Sequence, residues 1–92
     1  MSVKVNISSP LLAFFKNKKA PTTLEVNTIA EVLDTIEHQA KGFKQHVLNR
    51  AGVVNKFIKI YVNSRDILEL DGLKTALNKG DVVSILQAMS GG

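Results

Sequence analysis

The segment Lys56-Phe57-Ile58-Lys59-Ile60-Tyr61-Val62 carries the clearest strand pattern in the chain. Ile58, Ile60 and Val62 alternate with larger or charged side chains, and successive side chains of a strand point to opposite faces of a sheet. One face therefore has an apolar core to line, whereas the other carries Phe57, Lys59 and Tyr61. The pattern predicts a sheet that is covered on one side only.

A helix is predicted upstream of this strand. Thr28 and Glu31 form a capping box, in which a hydroxyl and a carboxylate satisfy backbone N–H groups at a helix start. Apolar residues then recur at helical spacing, at Ile29, Val32, Leu33 and Ile36. The helix is expected to run from Thr28 to about Ala40, with Gly42 as its stop. Phe43, Val47 and Leu48 indicate a further helical turn or two before Gly52.

The remaining strands flank these two elements. Alternation of Val3, Val5 and Ile7 predicts a first strand, which Ser8-Ser9-Pro10 ends, and Thr22 to Val26 is a short β-prone segment that would pair with it in a hairpin. Downstream, Asn63-Ser64 is a turn, Ile67 to Leu70 a short edge segment, and Val82 to Leu86 the last strand.

This order of elements predicts an α+β, two-layer domain with the helix on one face of the sheet. At 92 residues and 10.0 kDa the chain has length for one core only, so residues 1–92 are expected to form a single domain. The predicted core is formed by Val3, Val5, Ile29, Val32, Leu33, Ile36, Ile58, Ile60, Val83 and Ile85.

Composition excludes several kinds of chemistry. There is no cysteine, so disulfides, thiolate metal sites and cysteine nucleophiles are absent. No segment approaches the run of about 20 apolar residues that a membrane span needs, and we expect a cytoplasmic protein that does not bind membranes.

The net charge of +4 is concentrated before residue 61, which is compatible with nucleic acid or with an acidic protein surface. Lysines outnumber arginines ten to two and aromatics are only 5%, so base stacking and bidentate contacts are poorly supplied. Solvated lysines are the simplest explanation, and no nucleic-acid partner is expected.

The polar residues within the domain form no recognisable catalytic or metal-binding set. His38 and His46 are eight positions apart and do not share one helical face, so no metal is expected. Asp66, Glu69 and Asp71 lack the spacing of a calcium loop and read as a solvated loop. The glycines match no nucleotide-binding motif, and no bound cofactor is expected.

The last two residues, Gly91 and Gly92, point to different chemistry. A terminal carboxylate is ionised at neutral pH and repels nucleophiles, so it must be activated before it reacts. Adenylation would make one of its oxygens a leaving group, and glycine is slim enough to enter a narrow partner channel. Residues 87–92 are predicted to form an extended, flexible tail that presents Gly92; a floppy terminus without function is the alternative.

The final third of the chain resembles the ubiquitin-like sulfur carriers, a family that includes the small subunit of molybdopterin synthase and the thiamin sulfur carrier. The matching motifs are Ile60-Tyr61-Val62-Asn63, Asp66-Ile67, Leu70-Asp71-Gly72-Leu73, Thr75, Leu77, Lys79-Gly80-Asp81-Val82-Val83-Ser84-Ile85 and Gly91-Gly92. The first two thirds agree in the order of elements more than in residues. Gln87 and Ser90 depart from the common pattern of proline and alanine, which bears on partner specificity.

The resemblance implies a β-grasp fold with a mixed four- to five-stranded sheet, and a protein that is a cosubstrate rather than an enzyme. Gly92 would be adenylated by an E1-like, ATP-dependent activating enzyme and converted to a thiocarboxylate, with Gly91 as the slender penultimate residue. Other implied partners are a sulfur donor protein or sulfide and a downstream synthase subunit, in molybdopterin-, thiamin- or cysteine-type biosynthesis. The alternative is a ubiquitin-like modifier conjugated through Gly92 to lysines.

A partner-binding surface is predicted from strand alternation and from the position of the tail. Aromatic and aliphatic side chains ringed by Lys4 and Lys59 suit a protein partner, although open sheet faces are often only solvated. The predicted partner-binding residues are Phe57, Lys59, Tyr61, Leu86, Gln87, Ala88, Met89 and Ser90.

Overall fold

Five strands form one mixed sheet in the computed structural model, which describes residues 1–16 and 18–88. The strands are β1 (Ser2–Ile7), β2 (Thr23–Glu25), β3 (Ile58–Val62), β4 (Arg65–Asp66) and β5 (Val82–Gln87). Their spatial order is β2-β1-β5-β3-β4, with β1 and β5 parallel and all other neighbours antiparallel. The predicted first hairpin and the predicted final strand are both confirmed.

Helix α1 (Ile29–Gln39) packs on one face of the sheet, and the short helix α2 (Phe43–Val47) follows it. The Thr28 hydroxyl accepts the Glu31 N–H at 3.2 Å, as the capping box predicts. The Glu31 carboxylate reaches one residue further back than in the standard box and accepts the Asn27 N–H at 3.0 Å. The α+β, two-layer prediction is therefore confirmed.

The core lies between the sheet and the helices, and every residue of the predicted core is buried. Ile85 is fully buried at the centre of the sheet, where it pairs with Ile7 on one side and Ile60 on the other. The core also includes side chains that were not among the predicted core residues. They are Leu11, Phe15, Leu24, Val26, Ala40, Phe43, Val47, Val62, Ile67 and Leu77.

Two local predictions were wrong. The edge strand is Arg65–Asp66, and the predicted edge segment from Ile67 is instead a 3₁₀ turn, Ile67–Glu69. The cause is local, because the Asp66 carboxylate accepts the Leu68 N–H at 2.9 Å and turns the chain there. Gly42 does not stop α1, which ends at Gln39. With φ of 94° Gly42 is instead the N-cap residue of α2.

A 3₁₀ helix, Ser9–Phe15, occupies a segment for which the sequence predicts no element. Its residues place Leu11 and Phe15 in the core, both essentially without solvent exposure. Pro10 at the start of the helix suits a first turn, where its missing N–H costs no hydrogen bond. This segment closes the core next to the end of β5.

Candidate functional site: the end of the last strand and the open sheet face

Backbone N–H groups at the end of β5 donate hydrogen bonds to residues on both sides of the strand. Gln87 N–H donates to the Ser8 hydroxyl at 3.0 Å, and Ala88 N–H donates to the Phe57 carbonyl at 2.8 Å. The strand is thus one residue longer than predicted and includes Gln87, which was expected to begin the tail. Hydrogen bonds therefore fix the path of the backbone as far as Ala88.

The Gln87 side chain points to the helix side of the sheet, because it alternates in phase with the buried Val83 and Ile85. Its Oε1 atom lies 2.8 Å from Nε2 of His46, on α2. In the sequence His46 was considered only as a metal ligand, and its spacing from His38 argued against that role. The structure gives it a contact with the strand that carries the predicted reactive end.

A cleft of about 320 Å³ lies beside this strand end. It is lined by Pro10, His46, Asn55, Phe57, Ile58, Gln87 and Ala88. A larger open groove, of about 790 Å³, is lined by residues of α1, of α2 and of the loop that follows, and it shares Asn55 with the smaller cleft. The smaller cleft is the one that adjoins the predicted reactive segment.

The uncovered face of the sheet presents the predicted apolar residues. Leu86 is 39% exposed although its neighbour Ile85 is fully buried, and Phe57 is 49% exposed. Tyr61 is half-buried, and Lys59, which pairs with Leu86 across the strands, is exposed. Phe57, Lys59 and Leu86 therefore lie near the end of β5 on the open face, and Tyr61, which pairs with Ser84, lies further along the same face.

Charges surround this open face. The Lys59 ammonium lies 3.8 Å from the Asp66 carboxylate, and the Lys56 ammonium lies 5.2 Å from the centre of the Phe57 ring. Lys4 is exposed on β1. An apolar centre with a largely basic border suits a protein partner whose contact surface is acidic at its rim.

Of the predicted site residues, Met89, Ser90, Gly91 and Gly92 lie outside the described residues. Ser8, His46 and Pro10 are neighbours of the strand end that no sequence pattern predicted. Ser8 is 79 positions from Gln87 and His46 is 41 positions from it, so no local motif connects them.

Two further observations concern the described residues 1–16 and 18–88. Their His, Asp and Glu side chains form no group of three or more that could hold a metal ion. No helix among them is long and apolar enough to cross a membrane.

Comparison with known proteins identifies the family. Residues 12–92 match the ThiS family. The sulfur carrier protein CysO of Mycobacterium tuberculosis is 31% identical over 94 residues, which span all of both chains. Small archaeal modifier protein 3 of Haloferax volcanii is 32% identical over 65 residues, covering 71% of this chain and 70% of that protein.

The fold has close counterparts among solved structures. A chain from the crystal structure of the Amycolatopsis orientalis BexX/CysO complex superposes with a TM-score of 0.80 at 29% identity, over 98% of this chain and 99% of that one. The predicted β-grasp fold is thereby confirmed. On its sequence, its fold and the match over residues 12–92, the chain belongs to the ThiS family of ubiquitin-like sulfur carriers.

Proposed function

We propose that this protein is a sulfur carrier in which the Gly92 carboxylate is adenylated by an E1-like enzyme and then converted to a thiocarboxylate. The observation that carries the proposal is the family match, which runs through the strand end to Gly92 itself. Full-length similarity to a sulfur carrier protein supports it. The protein acts as a cosubstrate, and ATP is consumed by the partner enzyme.

The chemistry balances in two steps. A carboxylate oxygen of Gly92 attacks the α-phosphorus of ATP, forming an acyl-adenylate and releasing pyrophosphate. Hydrosulfide then attacks the carbonyl carbon, AMP leaves with the activated oxygen, and loss of a proton gives the thiocarboxylate. Where a donor protein supplies the sulfur as a cysteine persulfide, the same attack gives an acyl disulfide, and a partner thiol must cleave it, forming a new disulfide, to release the thiocarboxylate. The first step is needed because a free carboxylate repels nucleophiles and has no good leaving group.

The open face is the surface we assign to the activating enzyme and to the downstream synthase subunit. Phe57, Tyr61 and Leu86 supply apolar area, and Lys59 supplies charge at its border. Ala88 lies next to Phe57 at the tail base, and Met89 and Ser90 follow it toward Gly92. A partner seated on this face would meet the tail at the point where β5 ends.

The experiment is to incubate purified protein with ATP, sulfide and an activating enzyme of this family, and to measure intact mass. We expect an increment equal to the exchange of one oxygen for one sulfur. The matched control lacks only Gly92 and should show no increment. A full-length protein that keeps its mass while a known carrier is converted in the same mixture would refute the proposal.

A second candidate function is that of a protein modifier, which the similarity to small archaeal modifier protein 3 favours. The same adenylate would then be attacked by a lysine amine, giving an isopeptide bond and releasing AMP and a proton. Because Lys79 is the last lysine or arginine, trypsin would leave residues 80–92 on a modified lysine. Peptides carrying that remnant, in cells with the native gene, would establish conjugation.

A further inference from the structure

Three contacts converge on the last two described residues of the chain. The Ser8 hydroxyl accepts Gln87 N–H at 3.0 Å, and the Phe57 carbonyl accepts Ala88 N–H at 2.8 Å. His46 reaches Gln87 through the side chain, at 2.8 Å. The strand end is therefore bound through both its backbone and its side chain, from three separate parts of the chain.

The His46 ring is oriented before it meets Gln87. The Phe14 ring lies 5.0 Å from it between centroids, and Phe14 in turn makes an edge contact with buried Phe43 at 5.9 Å. Aromatic pairs at such distances are mutually stabilising. Because Phe14 packs against the ring, forming the exposed hydrogen bond costs His46 less side-chain entropy than it otherwise would.

We propose that His46, with Ser8, is a positioning residue that sets the direction in which the tail leaves the domain for activation. The inference rests on the proposed function and adds to it a residue from α2, on the side of the sheet away from the open face. Neither His46 nor Ser8 touches the reacting atoms. They act through Gln87.

A small change in direction at the strand end becomes a large displacement at the end of the tail. Five residues beyond Gln87 reach at most about 17 Å when extended, so a rotation of about 20° at the strand end moves the far end by roughly 6 Å. Adenylation needs the carboxylate placed to within a fraction of that distance. If the strand end is mobile, it must become ordered when the partner binds. The lost conformational entropy weakens the affinity for the partner.

The hydrogen bond requires a donor on the ring. Gln87 Oε1 is an acceptor, so its contact with His46 Nε2 is a hydrogen bond in the tautomer that has the proton on Nε2. A glutamine at position 46 can offer an amide N–H in a similar place, whereas alanine cannot. The pair of substitutions His46→Ala and His46→Gln therefore separates loss of the hydrogen bond from loss of the ring.

The test combines two measurements on the full chain. The first is the amide hydrogen-exchange rate of Ala88, and the second is the kinetics of activation, followed as ATP–pyrophosphate exchange at varied carrier concentration. For His46→Ala we expect Ala88 exchange and the apparent KM to rise roughly two- to tenfold, with kcat unchanged. His46→Gln should recover most of the difference.

His38→Ala is the matched control, since it removes an exposed histidine from α1 rather than α2. It should leave both readouts as in the wild type. Gln87→Ala should reproduce His46→Ala, and the double variant should be no worse than either single one, because both remove the same contact.

The inference is overturned if His46→Ala matches His38→Ala in Ala88 exchange and in KM. It is also overturned if His46→Ala lowers only the denaturation midpoint, which would indicate a purely structural role. Failure of the proposed function looks different, because wild-type protein would then give no pyrophosphate exchange at all, and the role in activation would fall with it.

Discussion

The two faces of the sheet are built from the same strands yet have opposite properties. On β5, Ile85 is fully buried under the helices, whereas the adjacent Leu86 is 39% exposed on the other face. On β3, Ile60 is buried and Tyr61 only half-buried. The covered face stabilises the domain, and the open face remains available for a partner; alternation along each strand lets one segment serve both.

The largest effect should come from the covered face. Ile85→Ala removes a fully buried side chain between β1 and β3, and we expect the free energy of unfolding to fall by about 3 kcal/mol. Urea denaturation measures it. Leu86→Ala, one residue along the same strand, is the control and should cost well under half as much; equal losses would contradict the comparison.

Introducing a negative charge on the open face should impair activation much more than it lowers the free energy of unfolding. Leu86→Asp places a carboxylate in the apolar centre of the proposed partner surface, and we expect the apparent KM for activation to rise roughly tenfold. The stability loss should be about 1 kcal/mol or less, since the residue is partly exposed and faces Lys59.

The control for that variant is Leu68→Asp, the same substitution at a leucine that is 69% exposed outside the sheet. It should leave activation kinetics unchanged. Wild-type kinetics in Leu86→Asp, or equal impairment in Leu68→Asp, would remove the open face from the proposed function.

The smallest effect concerns the layer that covers the sheet. The Glu37 carboxylate accepts the N–H groups of Gly42 at 3.0 Å and Lys44 at 2.9 Å, joining α1 to α2. These bonds, helped by the charges of Lys41 and Lys44, lower the pKa of Glu37 in the folded state, and burial opposes them only in part. The unfolded chain therefore binds this proton more readily than the folded protein.

Because the pKa of Glu37 is lower in the folded protein than in the unfolded chain, acid weakens its contribution to stability. The stabilisation from Glu37 is fully present above its ordinary pKa and is lost as pH falls through the lowered pKa of the folded state. Glu37→Gln should cost less than about 1 kcal/mol at pH 7, because the group is partly exposed. Urea titrations at neutral and acidic pH should show the gap between wild type and variant shrinking on acidification; a constant gap would contradict this assignment.

Most of the fold was predictable because local patterns encode it. The alternation of Val3, Val5 and Ile7 and the capping box at Thr28 are local patterns, and the structure confirms the elements that they predict. The 3₁₀ helix Ser9–Phe15 was missed because it is short and its buried residues, Leu11 and Phe15, lie in an unbroken apolar run that hides their spacing. Ile67 was assigned to a strand because its apolar character is real, but the Asp66 side chain turns the backbone first.

In the candidate site, too, some residues were predictable from local patterns and others were not. Phe57, Tyr61 and Leu86 were predicted for the open face from alternation, and the structure places them there. Their role in binding remains a proposal. His46 and Ser8 were beyond prediction, since their bonds to Gln87 join residues 41 and 79 positions apart.

By itself the sequence determined that α1 is a helix and that β1, β2, β3 and β5 are strands, and it identified the buried faces of β1, β3 and β5. It also determined the absence of cysteine and the diglycine on which the proposed function depends. These depend on side-chain period, helix capping and composition, which act over a few residues. Only the tertiary structure decided that β5 lies between β1 and β3 and that Ser8, His46 and Phe57 meet at its end. Strand order and long-range hydrogen bonds arise from the packing of the whole chain around one core, so local sequence patterns do not predict them.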